Sequence, residues 1–584
     1  MARRRGVRLV LLLILGAVIV SSAAVIGAYL LVYGEPTVPE RATLVLRIGE
    51  LNEAFGADTI RDLVGGTRVL TVQEVVESLR KAKTDSRITA ALIMPKGVPE
   101  AYWAKTQEIR DAILDFRQSH KPAFAYLEYG GEHEYYLATA CDRVFLMPNS
   151  PLDLIGLASY QMFLRGTLDK IGAYPDFYHI GEYKTASNQL TETTMSRAHR
   201  EMAESLNRDL FDQLVRGIAD GRKKTEADVR ALIDRGPFLP EAARAAGLVD
   251  ALAYEDQIDD LVPGEKGDMR LVEGDQYARV RPRARPRSAP RVGVIYVAGT
   301  IASGRSGFDP IYGGIVGSDT VVDQIRQARA DPSLRALVVR IDSPGGSTIA
   351  SDVIWRELLI TRRQKPSRPI IVSMSDLAAS GGYYIATPAN AIVAQPGTLT
   401  GSIGIFGGKI ATGGTYKKLG MNVEPVSAGR YADMNSPVRP YNNAERAKVQ
   451  EQLKAFYDQF LEKVATARGM SKKQVDALGQ GRVWTGKQAK AVGLVDEVGG
   501  LTTALALAKR QARIADDAEV NLVSYPGRLG ILERLFEQFG QSAYARLMTL
   551  APNLAEGLLS PLALSRRLFL PSEALAWLPL PASR

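Results

Sequence analysis

Cysteine is almost missing from this chain of 584 residues; Cys141 stands alone. A single thiol excludes an intramolecular disulfide and a Cys-rich metal site. Histidine is nearly as scarce. The four, His120, His133, His179 and His199, all lie in the first third, so histidine-dependent chemistry must draw on that part. Long apolar runs are lacking too, with one exception near the N-terminus, which excludes a multi-span membrane protein. What is present is ordinary for a globular chain: 46% hydrophobic and 23% charged residues, a balance that excludes a mainly disordered protein. The net charge of +9 owes much to a short Arg-rich stretch, so no nucleic-acid partner is expected from it. At about 100–200 residues per domain, two to four domains are expected.

The one apolar run sets an expected compartment. Arg3, Arg4, Arg5 and Arg8 precede an uncharged stretch from Leu9 to Val32. As a helix it would span about 36 Å, enough to cross a bilayer. A cleaved signal peptide needs an apolar region of only about 7–15 residues. Ser21, Ser22, Ala23 and Ala24 offer small residues for cleavage, but the length favours an anchor. The positive-inside rule then holds residues 1–8 in the cytoplasm and places the body beyond the membrane. In a bacterium this means a single-pass protein of the cytoplasmic (inner) membrane with its body facing the periplasm.

The body repeats itself. YYLATA at 135–140 matches YYIATP at 383–388, and GEYKTASN at 181–188 matches GRYADMNS at 429–436, both at an offset of 248. GLVD at 247–250 returns at 493–496, two residues short of that register. Short apolar runs alternate with helical patterns, which indicates an α/β fold with largely parallel pairing. Val292–Ile301, Leu334–Ile341 and Ile370–Met374 read as strands, and Val321, Val322 and Ile325 as one helical face. Thr71 and Glu74 form a capping-box pattern before a helix. RVRPRARPRSAPR at 279–291 cannot make helix or central strand and reads as an extended linker. The expected division is a basic segment at 1–8, an anchor at 9–32, a first repeat at 40–270, a Pro/Arg-rich linker at 271–290, a second repeat at 291–515 and an apolar extension at 516–584. In that extension Ile531, Leu532, Leu535, Phe536 and Phe539 are spaced for one helical face, suited to packing on the body, a subunit contact or the membrane surface.

Three segments of the second repeat carry chemistry. RIDSPGGS at 340–347 runs a buried strand into glycines that let a ligand approach backbone N–H groups, as an oxyanion hole requires; a plain Pro-Gly turn is the bland reading. SDLAASGGYYIATPA at 375–389 sets Ser380 among small residues ahead of a helix at Tyr383–Thr387, where developing negative charge is favoured. Close packing of small residues would explain the same segment. PGTLTGSIGIFGG at 396–408 puts Ser402 between glycines, to orient a catalytic group or to satisfy a turn.

Together the three segments resemble the signal peptide peptidase A family, also called protease IV, in its long double-domain form. More distantly they resemble the Clp protease and crotonase superfamily. The resemblance implies two tandem homologous Clp/crotonase-like α/β domains after a single N-terminal transmembrane helix. It implies a serine endopeptidase without metal or cofactor that degrades cleaved signal peptides at the membrane. By residue it implies Ser380 as nucleophile, Lys184 of GEYKTA as general base, Ser402 as the group that orients the lysine, and the amides of Gly345 and Gly381 as the oxyanion hole. A homotetramer with its sites inside a bowl is the implied assembly.

The repeat supports the same assignment by itself. At offset 248 Ser380 faces Glu132, Gly381 faces His133, Ser402 faces Leu154, and Lys184 faces Ala432. Each half keeps what the other has lost. A lysine base must be neutral, and burial lowers its pKa from about 10.4 toward neutrality. Competing readings are a Ser-His-Asp triad with His133 or His179 and Asp342 or Asp376, a crotonase-type acyl-transfer enzyme, and an inactive scaffold. Ser78 and Lys81 match a Ser-x-x-Lys signature, but on a charged helical stretch without partner motifs.

Overall fold

The computed structural model describes residues 36–53, 69–97, 102–261, 270–280, 288–309 and 313–525, with Gly16 and two short strands at 575–577 and 582–583. The expected anchor at 9–32, apart from Gly16, lies outside the described residues. So do most of the Arg-rich part of the linker and the apolar helical face at 531–539.

Two parallel sheets carry the body, and they have the same plan. In the first the strand order is Ala251–Leu252, Arg143–Leu146, Ala123–Leu127, Ile88–Pro95, Ala42–Ile48, Arg270–Glu273, every neighbour parallel. In the second, Glu497–Val498, Ala391–Ala394, Ile370–Ala379, Leu334–Ser343, Arg291–Ala298 and Asn521–Tyr525 follow in the corresponding order, again parallel. Helices cover the faces, so the strands read as near-continuous apolar runs rather than alternating ones. Ile370–Ala379 is buried at all ten positions.

Several expected elements differ at their edges for physical reasons. Val292–Ile301 is two strands, Arg291–Ala298 and Thr300–Ala302, parted at Gly299. There φ is +120°, and a Cβ would sit 2.3 Å from Gly314 O, so only glycine fits. The strand expected at Ile370–Met374 continues to Ala379 because the small residues after it are buried, and the helix starts at Gly381 rather than Tyr383. The capping box at Thr71 and Glu74 forms and opens the Val72–Thr84 helix.

A third sheet joins the halves. Tyr174–Ile180, from the first half, pairs antiparallel with Ile405–Ala411 of the second over seven residue pairs. A buried ion cluster fastens the same junction. Arg340 donates to Glu53 (Nε to Oε2 2.9 Å, Nη2 to Oε1 2.6 Å), to Glu108 Oε2 at 2.7 Å and to Ser373 Oγ at 2.9 Å. Burial opposes each charge, but the two carboxylates hold the guanidinium firmly protonated, and Arg340 keeps Glu53 below the usual carboxylate range.

Candidate active site

The cross-sheet pairing decides what reaches Ser380. The Tyr174–Ile180 strand ends in register with Ile405, and the chain then turns at Gly181 toward Lys184. Lys184 N donates to Gly181 O at 3.1 Å, and Tyr183 N donates to Gln480 O at 2.7 Å, so a loop of the second half backs the turn. Gly481 lies so close that a Cβ there would be 2.4 Å from Lys184 N. The lysine enters the second half almost fully buried.

Its Nζ lies 2.8 Å from Ser380 Oγ, 3.0 Å from Ser402 Oγ and 3.2 Å from Ser402 O. No carboxylate is among these partners. Burial therefore lowers its pKa from 10.5 to about 7, with nothing to oppose the shift. Both serines sit at special backbone positions. Ser380 has φ +54° and ψ −112° at the junction of the Ile370–Ala379 strand and the Gly381–Ala386 helix. Such a conformation costs a non-glycine residue about 1–3 kcal/mol and persists only where the surroundings enforce it. Here Ser380 N donates to Gly401 O at 2.8 Å. Ser402 has φ +51°, and its N donates to Arg482 O at 2.7 Å.

The two expected oxyanion glycines are neighbours. A Cβ on Gly381 would lie 3.2 Å from Gly345 Cα and 2.6 Å from Ser351 Oγ. Gly345 has φ +101°, and its N–H donates to Ser343 Oγ at 3.2 Å. All five residues expected from the sequence thus converge on one point.

The histidines do not. His133 is stacked on Trp103 with ring centroids 3.9 Å apart and has Nδ1 3.2 Å from Thr106 Oγ1. Burial pushes its pKa down to about 4. His179 donates from Nδ1 to Gly181 O at 3.0 Å. Asp342 and Asp376 are engaged by Lys105, at 3.0 and 3.2 Å. Neither histidine reaches Ser380, so the triad reading has no geometry. Lys81 of the Ser-x-x-Lys match donates instead to the carbonyls of Tyr277, Ala278 and Val280. Among the described residues no group of three or more His, Cys, Asp or Glu side chains could hold a metal ion.

Sequence reading missed Gly481, the support of the base, and Arg340 with Glu53 and Glu108. Arg340 opens the RIDSPGGS segment, where attention fell on the glycines. A charged residue inside an otherwise apolar strand was the available signal.

A site of this kind, with a buried lysine against a serine on a strained strand-to-helix turn, belongs to serine hydrolases that work without histidine. The model of peptidase family S49 matches residues 115–263 and 362–515. "Serine protease SPPA, chloroplastic" of Arabidopsis thaliana is 35% identical over 462 residues, 78% of this chain and 68% of that protein. "Protease 4" of Salmonella typhi is 33% identical over 483 residues, 80% of this chain and 76% of that protein. Among solved structures, "ClpP1 from Listeria monocytogenes" covers 35% of this chain and 89% of its own, at 17% identity and a TM-score of 0.22, a likeness too slight to bear on the fold. The chain belongs to peptidase family S49, in the double-domain form of signal peptide peptidase A, and is a serine protease.

Proposed function

We propose that the protein is a membrane-anchored endopeptidase whose Ser-Lys dyad is shared between its halves, and that it degrades cleaved signal peptides. One observation carries the reading: a buried first-half lysine lies 2.8 Å from the second-half serine, with no acid to keep it charged. Neutral Lys184 takes the proton of Ser380 Oγ as that oxygen bonds to the substrate carbonyl carbon. The oxyanion is met by the Gly381 N–H and by the Gly345 N–H, which exchanges Ser343 Oγ for it. Collapse breaks the C–N bond, and the ammonium of Lys184 returns the proton to the leaving amine. Lys184 then deprotonates the water that hydrolyses the acyl-enzyme. Ser402, bonded to Nζ through both Oγ and O, holds the amine on line.

The substrate follows from the anchor expected at 9–32. A body held at the outer face of the membrane meets signal peptides left in the bilayer after export. The printed names of the relatives are those of proteases, and the family resemblance supplies the signal-peptide substrate and the homotetramer. Purified protein should cut an isolated signal peptide into several pieces and be labelled by a fluorophosphonate at Ser380. Failure of both would overturn the reading in favour of a crotonase-type enzyme or a scaffold.

A further inference from the structure

The cross-half sheet contains a strand that belongs to neither repeat. Its order runs Tyr174–Ile180, Ile405–Ala411, Leu575–Trp577, Gly345–Ser347, Thr300–Ala302. The third of these comes from the last residues of the chain. Ile405–Ala411 and Gly345–Ser347 do not pair with each other; the tail strand lies antiparallel to both. Neighbouring strands are about 4.8 Å apart, so the two edges bound a slot about 10 Å wide, one strand across. Each edge offers backbone N–H and C=O groups that an inserted extended peptide satisfies.

This slot is part of the reaction centre. Gly345 is the glycine beside Gly381, and Ile405 follows the Ser402–Gly404 loop. The register is Ser347 with Leu575, Gly346 with Ala576 and Gly345 with Trp577, so the tail runs toward the oxyanion glycines as it proceeds. A peptide inserted in this sense places the residues on the amino side of its scissile bond along Gly345–Ser347. At the end of that strand opens a cavity of about 140 Å³, lined by Ile349, Ser351, Val353, Ile405 and Phe460 among others. An apolar cavity of about 150 Å³ accepts a benzene-sized group.

We infer that this slot seats the extended peptide substrate, and that the chain's own segment at 575–577 occupies it as a tethered competitor. The inference rests on the peptidase reading above. Two further observations support it. Ser380 is 0% exposed, so no substrate meets it until something moves, and the tail strand is paired to the very loop a substrate must reach. The segment also has the chemistry of the proposed substrate. Ala574 to Leu578 reads ALAWL, apolar with small residues, between Pro571 and Pro579, which cannot donate to a ladder and so limit the paired length. Farther on, Ala582–Ser583 pairs with Ser159–Tyr160 of the first half and gives the tail a second hold. Free apolar peptides, rich in the same residues, displace it by mass action.

A tethered segment acts at an effective concentration of order millimolar, so an intrinsic affinity of about 0.1 mM weakens substrate binding about tenfold. The test reads binding separately from chemistry. A fluorescein-labelled peptide of sequence SEALAWL is titrated by polarisation into the Ser380→Ala chain, intact, cut before Pro571, or carrying Ala576→Pro. The expected result is binding about tenfold tighter to both altered chains. With Ser380 present, the same two changes should lower KM for an apolar peptide about tenfold and leave kcat unchanged. Equal affinity in all three, or binding in none, overturns the inference. Turnover that survives Ser380→Ala sinks the peptidase reading instead, and leaves the binding result standing.

Discussion

The two halves of the molecule share their scaffold bonds and differ in their chemistry. In the first, Asp250 accepts from Val144 N at 2.7 Å and is clamped by Arg222; in the second, Asp496 accepts from Ile392 N at 2.8 Å and is clamped by Arg468. Tyr135 donates to Leu248 O at 2.7 Å, and Tyr383 to Leu494 O at 2.8 Å. Where the second half has Ser380, the first has Glu132, whose carboxylate accepts from the Ile155 and Gly156 amides at 2.9 and 3.0 Å. Where the second has Gly381, open to an oxyanion, the first has the buried ring of His133 on Trp103. A duplicated scaffold can therefore keep its fold-defining bonds in both copies while one copy turns its site into packing and lends a base to the other.

The largest expected effect comes from breaking that loan. Ser380→Ala and Lys184→Ala should each lower peptide cleavage about 10³-fold or more at unchanged fold, read as kcat. Lys184→Arg should do no better, because a guanidinium keeps its proton. Next is the fastening between halves. Arg340→Ala leaves Glu53 and Glu108 buried without their cation and should cost about 3–5 kcal/mol in denaturant unfolding. Ser402→Ala removes one of the two Ser402 bonds that aim Nζ and should lower kcat about 10–100-fold with KM little changed.

A subtler effect sharpens the comparison through stability. Lys184 has a pKa of about 7 in the folded chain against about 10.4 unfolded. Between those values the unfolded chain binds more protons, so stability rises with pH by up to about 1.4 kcal/mol per unit. Below about pH 7 the full penalty of burying the charge remains. Lys184→Met lacks this dependence, and its stability relative to the parent should be most favourable below pH 7 and fall steadily toward pH 10. A pH series of denaturant melts checks the slope. The smallest effect belongs to the histidines: His133→Gln with His179→Gln should leave kcat within about twofold.

Much of the site was legible because its chemistry needs rare residue patterns. Ser380 and Ser402 sit at positive φ and so require glycine or other small neighbours, which the sequence displays as AASGG and LTGSIG. Lys184 was legible only through the duplication, since a lysine in a turn is ordinary by itself. The buried junction was not legible: the partners of Arg340 lie 287 and 232 residues away in sequence. The strand at 575–577 was hidden for a similar reason. Three residues have no detectable period, and they are extended because two edges from elsewhere in the chain pair with them. The apolar tail therefore suggested a helix at 531–539, which lies outside the described residues, while the strand beyond it drew no notice.

The most direct test of the shared site is the pH dependence of fluorophosphonate labelling of Ser380, measured in the parent chain, in Lys184→Ala and in the double histidine variant. The parent and the histidine variant should show the same rise in rate through one ionisation near pH 7, as Lys184 loses its proton. Lys184→Ala should lose both the rate and the inflection. A Lys184→Ala chain that is labelled with the parent's profile, beside a folded histidine variant that is not labelled, would contradict the dyad.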